Sequence, residues 1–591
     1  MTISLLDWSI IAAFFVISML IGVYSSKKAG ASAKEFFLSG RNMPWWLLGV
    51  SMVATTFSAD TPNLVTDIVR TNGVSGNWVW WAFLLTGMLT VFVYAKLWRR
   101  SEVTTDLEFY ELRYGGKSAA FLRAFRAIYL GIFFNVVIMA TVSLAAIKIG
   151  GVMLGLSPIE TLLIASIVTV IYSSLGGLRG VLLTDFFQFF IAMAGAFGAA
   201  IYVLDMPEIG SLDGLLTHPN VVDKLDFLPD FNDWNMIIPL LIMPLAIQWW
   251  ATWYPGTEPG GGGYIAQRML SAKDEKNAIG ATLFFNIAHY GMRPWPWIII
   301  ALASLIIFPN VSDMQEAFPH IPVDKMGHDL AYSAMLTFLP AGLIGLVLAS
   351  LIAAVMSTLS THLNWGSSYV VNDFYLRFLK PNASDKELVF VGRLSTVLLM
   401  LLAAILALAL SNALEAFNIL LQIGAGTGAI FILRWFWWRI NAMTEIAAMV
   451  ISFVVAIFFE VINPKIDLIS IPEGQEYLKL LYGVGITTVG WLSVTFFTKP
   501  EKDHILLSFY RKVKPAAFGW KKVLDRYPQE PQVQGQLPKE IGLMLVGSVM
   551  VYAVLFAVGF WIYGNILAAT LSTIIAIIGA LIILKSWKGM K

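Results

Sequence analysis

Ala54-Thr55-Thr56-Phe57-Ser58-Ala59-Asp60-Thr61-Pro62-Asn63 lies in the middle of an apolar run that extends from residue 46 to residue 70. A membrane span needs roughly 20 apolar residues, and the run is long enough to be one. An uninterrupted helix would place an acid, several hydroxyls and a proline near mid-membrane. Proline removes the N–H that would bond the carbonyl four residues earlier, here Ser58. Carbonyls freed at membrane depth are tolerated only where protein or a water-filled cavity satisfies them. A lone cation would satisfy them too. The bland alternative is a proline kink whose hydroxyls bond back to their own helix.

The surrounding chain is of one kind. Its 591 residues are 58% hydrophobic and 13% charged, with a mean hydropathy of +0.72. Soluble domains run nearer a quarter charged, so a soluble enzyme, a nucleic-acid binder and a disordered scaffold are excluded. The net charge of +2 implies no particular partner, and zero cysteines remove disulfides, thiol catalysis and thiolate metal sites. The reading is an all-α polytopic membrane protein of about 15 transmembrane helices. They fall near 5–25, 46–70, 75–98, 127–149, 158–175, 181–204, 236–257, 278–308, 340–361, 388–411, 415–437, 441–463, 476–497, 542–564 and 566–584.

The first run is not read as a signal peptide. It lacks a basic start, contains Asp7 and ends in Lys27-Lys28 rather than at a small-residue cleavage site. Basic residues after it favour a cytoplasmic inner end, hence an external N-terminus and a cytoplasmic C-terminus in the inner (plasma) membrane. Loops 26–45, 99–126, 258–277, 362–387 and 498–541 then fall inside and carry most of the lysines and arginines. Loops 205–235 and 309–339 fall outside and are acidic (Asp213, Asp223, Asp226; Asp313, Glu316, Asp329). Loop 498–541 reads either as an amphipathic helix on the anionic inner leaflet or as an ordinary basic loop.

A second interruption follows. Span 236–257 runs into Trp253-Tyr254-Pro255-Gly256-Thr257-Glu258-Pro259 and four glycines, Gly260 to Gly263. The glycine run has neither the lysine nor the preceding strand of a phosphate loop. Two discontinuous helices at corresponding places in two halves point to a transporter site. The halves would be 46–204 and 236–437, five spans each, and an odd number of spans makes such a repeat inverted. Residues 1–45 and 438–591 then supply extra helices at both ends.

Two further features belong with the breaks. Ser357, Thr358, Ser360 and Thr361 sit at the inner end of span 340–361, with Ser357, Ser360 and Thr361 sharing one helix face. They are either interhelical hydrogen-bond glue or oxygen ligands for a hard cation. Asp185, just inside span 181–204, is a matching charge. A buried carboxylate is costly unless paired, and either Arg179 or a cation would pair it.

Gly40-Arg41-Asn42-Met43-Pro44-Trp45-Trp46, Ser58-Ala59, Gly176-Gly177-Leu178 with Thr184-Asp185, Gln267-Arg268-Met269-Leu270-Ser271-Ala272-Lys273, and Ala354 with Ser357-Thr358 occur in order along the chain. Together they resemble the sodium:solute symporter family. The resemblance implies a LeuT-like fold of two inverted five-helix repeats with extra helices before and after. It implies a main sodium site at the carbonyls of Ala54, Phe57 and Ala354 and the hydroxyls of Ser357 and Thr358. It implies a second sodium, where present, between Asp185 and Ser357, Ser360 and Thr361, hence one or two Na+. Tyr264 matches the family's inner gating tyrosine. Thr61, the Trp78-Val79-Trp80-Trp81 run and the glycine run replace the polar residues of the sugar-transporting members, so their galactose-type recognition does not carry over.

The substrate side is read more openly. His289 and Arg293 are one turn apart near mid-span. An intramembrane arginine is a functional hypothesis by default, its planar fork suits a carboxylate, and Glu258 or Asp60 could pair with it instead. Trp78, Trp80, Trp81 and Trp253 could stack on a sugar ring or belong to an interfacial aromatic belt. Gln422 sits in another polar mid-span stretch. The function expected is sodium-coupled import of a small polar organic solute by alternating access. That solute is a sugar or an organic anion such as a sugar acid or carboxylate, and the transporter would work as a monomer in the lipid bilayer. The other reading is an uncoupled sodium or solute channel or sensor on the same fold. An enzyme is not expected.

Overall fold

A backbone crossing a bilayer must satisfy its N–H and C=O groups internally, and the helix does so within one segment. The computed structural model describes residues 3–587 apart from 57, 252–257, 322, 324–325, 411–423, 425, 473 and 534–535. Among the described residues the regular structure is helical, with one isolated β-bridge between Met43 and Ala272. In chain order the principal helices are α1 (Leu5–Ala29), α2 (Trp45–Thr56), α3 (Asp60–Asn72), α4 (Val74–Ser101), α5 (Gly116–Leu154) and α6 (Pro158–Leu204). Then come α7 (Trp234–Trp250), α8 (Gly263–Ser271), α9 (Glu275–Ile307), α10 (Leu343–Leu379), α11 (Asp385–Ala409) and α12 (Gly428–Leu433). The last are α13 (Ala442–Ile466), α14 (Tyr477–Phe497), α15 (Asp503–Val513), α16 (Leu537–Ile562) and α17 (Ile566–Trp587). Eleven of the described helices are long and apolar enough to cross a membrane.

The run 46–70 divides into α2 and α3, as its polar centre requires. The two runs 158–175 and 181–204 form one helical stretch, α6, broken at Gly177 with φ 52° and ψ −160°. A side chain there would meet the Phe36 carbonyl oxygen at 2.7 Å, so the bend needs glycine for both conformation and space. Span 236–257 begins as α7, and its inner end, with Trp253, lies outside the described residues. So does the whole stretch 411–423 before α12, Gln422 included.

The seam that organises the molecule is α6 against α10, with α1 riding on both. Asp7, fully buried in α1, accepts bonds from the Gly342 and Gly345 N–H groups at 2.6 and 2.8 Å. The acid thus sits on the N-terminus of α10, where the helix dipole and open amides favour negative charge. Outward faces of α1, α11 and α17 expose Leu20, Leu401, Ile405 and Leu581, an apolar belt of the kind a bilayer covers. The loop 205–235 is tied to the bundle by Phe227, whose carbonyl accepts from Trp78 Nε1 at 2.8 Å and whose ring packs on Phe556, Phe560 and Tyr563.

In loop 498–541, the leaflet-lying helix, one of the two readings of its amphipathicity, is not what the packing shows. Leu506, Leu507, Phe509 and Val513 of α15 are buried, and Phe509 packs on Trp520, Trp435 and Phe109. Trp520 Nε1 donates to the Trp435 carbonyl at 3.0 Å. Protein, not lipid, takes the apolar face.

Replacing Gly177 by alanine should lower the thermal unfolding temperature of the purified protein, through a strained positive φ costing roughly 1–3 kcal/mol and a clash with Phe36. An unchanged melting curve would mean that the bend tolerates a side chain.

Candidate functional site

A helix end leaves its last four carbonyls without helical partners. At the end of α2 these belong to Val53, Ala54, Thr55 and Thr56. Arg293 of α9, buried to 1%, donates Nη1 to the Val53 carbonyl at 2.8 Å and Nη2 to that of Thr56 at 3.2 Å. Thr358 of α10 donates its hydroxyl to the Thr55 carbonyl at 2.9 Å. Among the described residues no donor reaches the fourth, Ala54. The carbonyl freed by Pro62 is taken locally, since Thr61 N–H donates to Ser58 at 3.2 Å. The cationic guanidinium faces the negative end of α2, and Asp60 opens the positive end of α3, so both charges suit the dipoles of the two half-helices. Phe57 lies outside the described residues.

A second cluster stands behind the break. Asp185 of α6 accepts from Ser51 of α2 at 2.5 Å and from Ser357 of α10 at 2.6 Å. Its ion-pair partner is Arg268 of α8, 3.6 Å away and fully buried like Asp185 itself. Arg179, one of the two partners considered from sequence, makes no ion pair with it. Arg268 also donates to Thr361 at 2.7 Å and, more weakly, to Ser51 and Thr55. Thr361 and Thr55 share a further bond at 3.0 Å. Ser360 turns back to the Ser357 carbonyl at 3.0 Å. Asp185, Ser357 and Thr361 are therefore brought together, Thr358 turns to the break, and Ala354 lies buried one turn away.

The glycine run now has a reason. Gly260, Gly261 and Gly263 take φ values of 88°, 83° and 50°, a left-handed path that side chains resist. The path delivers the chain into α8, whose first N–H, from Gly263, donates to Asp106 at 2.8 Å. Asp106, in the loop after α4, also accepts from the Tyr369 hydroxyl, and burial pushes its carboxyl up to about 6. Glu258, just before the glycines, pairs with Arg126 of α5 at 2.6 Å, both buried. It is not the partner of Arg293. Tyr264 reaches from α8 to the break, its hydroxyl 3.2 Å from that of Thr56.

The tryptophans divide. Trp80 lies 5.8 Å from the His289 ring and 5.9 Å, stacked, from Tyr290, with its Nε1 held by Asn77 at 2.8 Å. His289 is buried and its Nδ1 has no partner among the described residues. Trp78 instead packs on Tyr552 and Phe556 of α16. Trp81 is fully buried, and its carbonyl accepts from Tyr552. Thr61 is half-buried in the first turn of α3. Trp80, His289, Tyr290 and Arg293 thus gather on one stretch of α9 and α4 beside the break, while Trp78 and Trp81 serve packing. Arg268, Ser51, Thr55, Asp106 and Arg126 are parts of the site that sequence reading missed. Only the Gln267-Arg268 motif carried any signal for them, because their partners lie about eighty or more residues away.

The arrangement is two broken helices lined by carbonyls and hydroxyls that suit a hard cation, beside a buried aromatic and basic group. Residues 36–452 match the model of the sodium:solute symporter family. The chain belongs to that family. A sodium/glucose cotransporter of Vibrio parahaemolyticus is 26% identical over 77% of this chain and 85% of its own. A sodium/mannose cotransporter of Bos taurus is 27% identical over 74% of this chain and 76% of its own. The solved structure of a Na+-coupled sialic acid symporter in a substrate-bound outward-open state superposes with a TM-score of 0.67. At 20% identity it covers 84% of this chain and 99% of that one, and it shows a shared fold. The protein is a sodium-coupled solute symporter of the membrane, and its family is one of transporters rather than enzymes.

Ser357→Ala with Thr358→Ala removes the two hydroxyls expected to ligate sodium and keeps the helix, since alanine is the best helix former. The sodium concentration for half-maximal transport should rise roughly tenfold or more, from about 1.5–3 kcal/mol per lost bond to a charged group. An unchanged sodium dependence in proteoliposome uptake would make these hydroxyls packing contacts only.

Proposed function

We propose that this symporter uses the inward sodium gradient to import a small polar organic solute of the sugar class, neutral or acidic, by alternating access. The supporting observation is the shared end of α2. Three of its four orphan carbonyls are held by Arg293 and Thr358, and no donor among the described residues reaches the fourth, from Ala54. Sodium at Ala54, Phe57, Ala354, Ser357 and Thr358 would complete that end and hold the first broken helix against α10. The fold is read as two inverted five-helix repeats, 46–204 and 236–437, LeuT-like, with the N-terminus outside, the C-terminus in the cytoplasm and a working monomer.

The solute would lie beside the break, on the Trp80, His289 and Tyr290 group, with Thr61 and Tyr264 at its borders. Aromatic faces suit the apolar face of a sugar ring, and His289 Nδ1 is a buried polar atom available to a hydroxyl. Relatives in the family are glucose and mannose cotransporters by name, which favours the neutral member of the class. A sugar acid is the second reading, favoured by Arg293 next to the same group. Sodium-driven uptake into liposomes tests the coupling, and equal uptake without sodium would make the protein an uncoupled channel.

Trp80→Ala should weaken a neutral sugar at least about tenfold, the equivalent of about 1.4 kcal/mol. Arg293→Lys loses the fork on the Val53 and Thr56 carbonyls and weakens either class, so the classes are told apart in the unmutated protein. If a sugar acid, and not the neutral sugar, competes for sodium-driven uptake, the substrate is the acid.

A second sodium would sit at Asp185 with Ser357, Ser360 and Thr361. Asp185→Asn should then bring the Hill coefficient for sodium toward one with the main site still working. A coefficient of one in the unmutated protein would rule that ion out.

A further inference from the structure

Away from the transport site, at the end of the molecule that carries the basic loops, a cavity of about 100 Å³ lies between α4, α16 and the segment after α15. Its charged lining is Lys96, Arg100 and Lys514 against Glu540. Lys96 pairs with Glu540. Arg100 holds Glu275 through Nε and Nη2, both at 2.9 Å, which leaves Nη1 without a partner among the described residues. Lys514 is exposed and makes no ion pair among them, and its backbone is held in the left-handed region at φ 53°. A lysine there tolerates a conformation that favours glycine, so this turn presents a cation where nothing in its own packing asks for one.

A second observation concerns α16. Its first residues, with Gln536 before them, line the same cavity. The cap residue Gln536 makes no side-chain bond to the helix, and Pro538 in the first turn has no N–H. Glu540 N–H is satisfied by the Gln536 carbonyl at 2.9 Å. The positive dipole end of this 26-residue helix therefore borders a cavity lined by Lys96, Arg100 and Lys514. Glu540 and Glu275 pair with two of these cations, which leaves Lys514 and Arg100 Nη1 to meet an anion.

The geometry points to a binding site for a phosphate group, carried by the headgroup of an anionic phospholipid or by a free phosphate. Two features favour the lipid. Val93, Leu97 and Phe436 give the cavity an apolar floor. Ile541, Leu545 and Val549 continue from it as an exposed strip along one face of α16, spaced four residues apart as one helix face requires, where an acyl chain would run. Basic pockets between transmembrane helices on the cytoplasmic side hold headgroups in this way.

The test uses full-length protein in detergent, titrated with phosphatidylglycerol or with phosphatidylcholine of the same chains and read by native mass spectrometry. Phosphatidylglycerol should bind more tightly than phosphatidylcholine. Lys514→Gln, which disturbs no bond in the fold, should weaken it about fivefold, and Arg100→Gln by a similar factor. Lys512→Gln, an exposed neighbour outside the cavity, should change nothing. Inorganic phosphate at millimolar concentration is the second arm. If it alone raises the melting temperature of the unmutated protein but not of Lys514→Gln, the source is free phosphate. Equal binding of the two lipids with no response to phosphate, or an unchanged response in Lys514→Gln, overturns the site.

Discussion

Everything at the centre of this transporter depends on a helix that stops inside a membrane. In water, the carbonyls at the end of α2 would be solvated at little cost. In a low-dielectric interior each needs a partner, or it costs several kcal/mol. The partners come from two directions, Arg293 on α9 and Thr358 on α10, and Tyr264 on α8 adds a contact to the Thr56 hydroxyl. One break therefore fixes the relative placement of four helices. Ion binding and helix packing become a single problem at this point, because an ion that supplies the remaining partner also strengthens the contact between α2 and α10.

The second broken helix is organised by the same constraint with opposite sign. The N-terminus of α8 presents open amides, and Asp106 meets the first of them. Asp106 and Glu258 bring two carboxylates close to one turn, and Arg126 supplies the opposing charge. A buried acid pair without that arginine would be strongly disfavoured. The inner half of this helix is thereby anchored to α4 and α5 by charge, while the glycines before it leave the path itself compliant.

How much of this was legible follows from how local each cause is. The break at 54–63 was readable because polar residues and a proline interrupt an apolar run within one span. The interruption at 176–180 was readable because two glycines and Arg179 separate two apolar runs, and it was read as a loop between two spans. The partners were not readable. Arg268 and Asp185 are 83 positions apart in the chain, and neither residue's surroundings specify the other, so Arg179, a near neighbour, was as good a candidate. Trp78, Trp80 and Trp81 read alike in sequence, yet a one-turn helix sends Trp80 to His289 and Trp78 to α16. The amphipathicity of α15 states that one face is apolar but not whether lipid or protein covers it, and here Trp520 and Trp435 do.

The Asp185 cluster sets a condition on any second ion. The carboxylate and the Arg268 guanidinium form a neutral pair in a fully buried place, with Ser51 and Ser357 already donating to the acid. Adding Na+ to that pair leaves one uncompensated positive charge, which burial penalises heavily. The ion is accommodated only if Arg268 withdraws from Asp185 or the arginine's charge is met elsewhere. Arg268 is not a free side chain, since it rides on α8 and also binds Thr361 and Thr55. Sodium at Asp185 and the grip of α8 on α2 and α10 are therefore competing arrangements of the same acid. Electrostatics alone thus links an ion at this acid to the inner half of the second broken helix, with no separate signal between them.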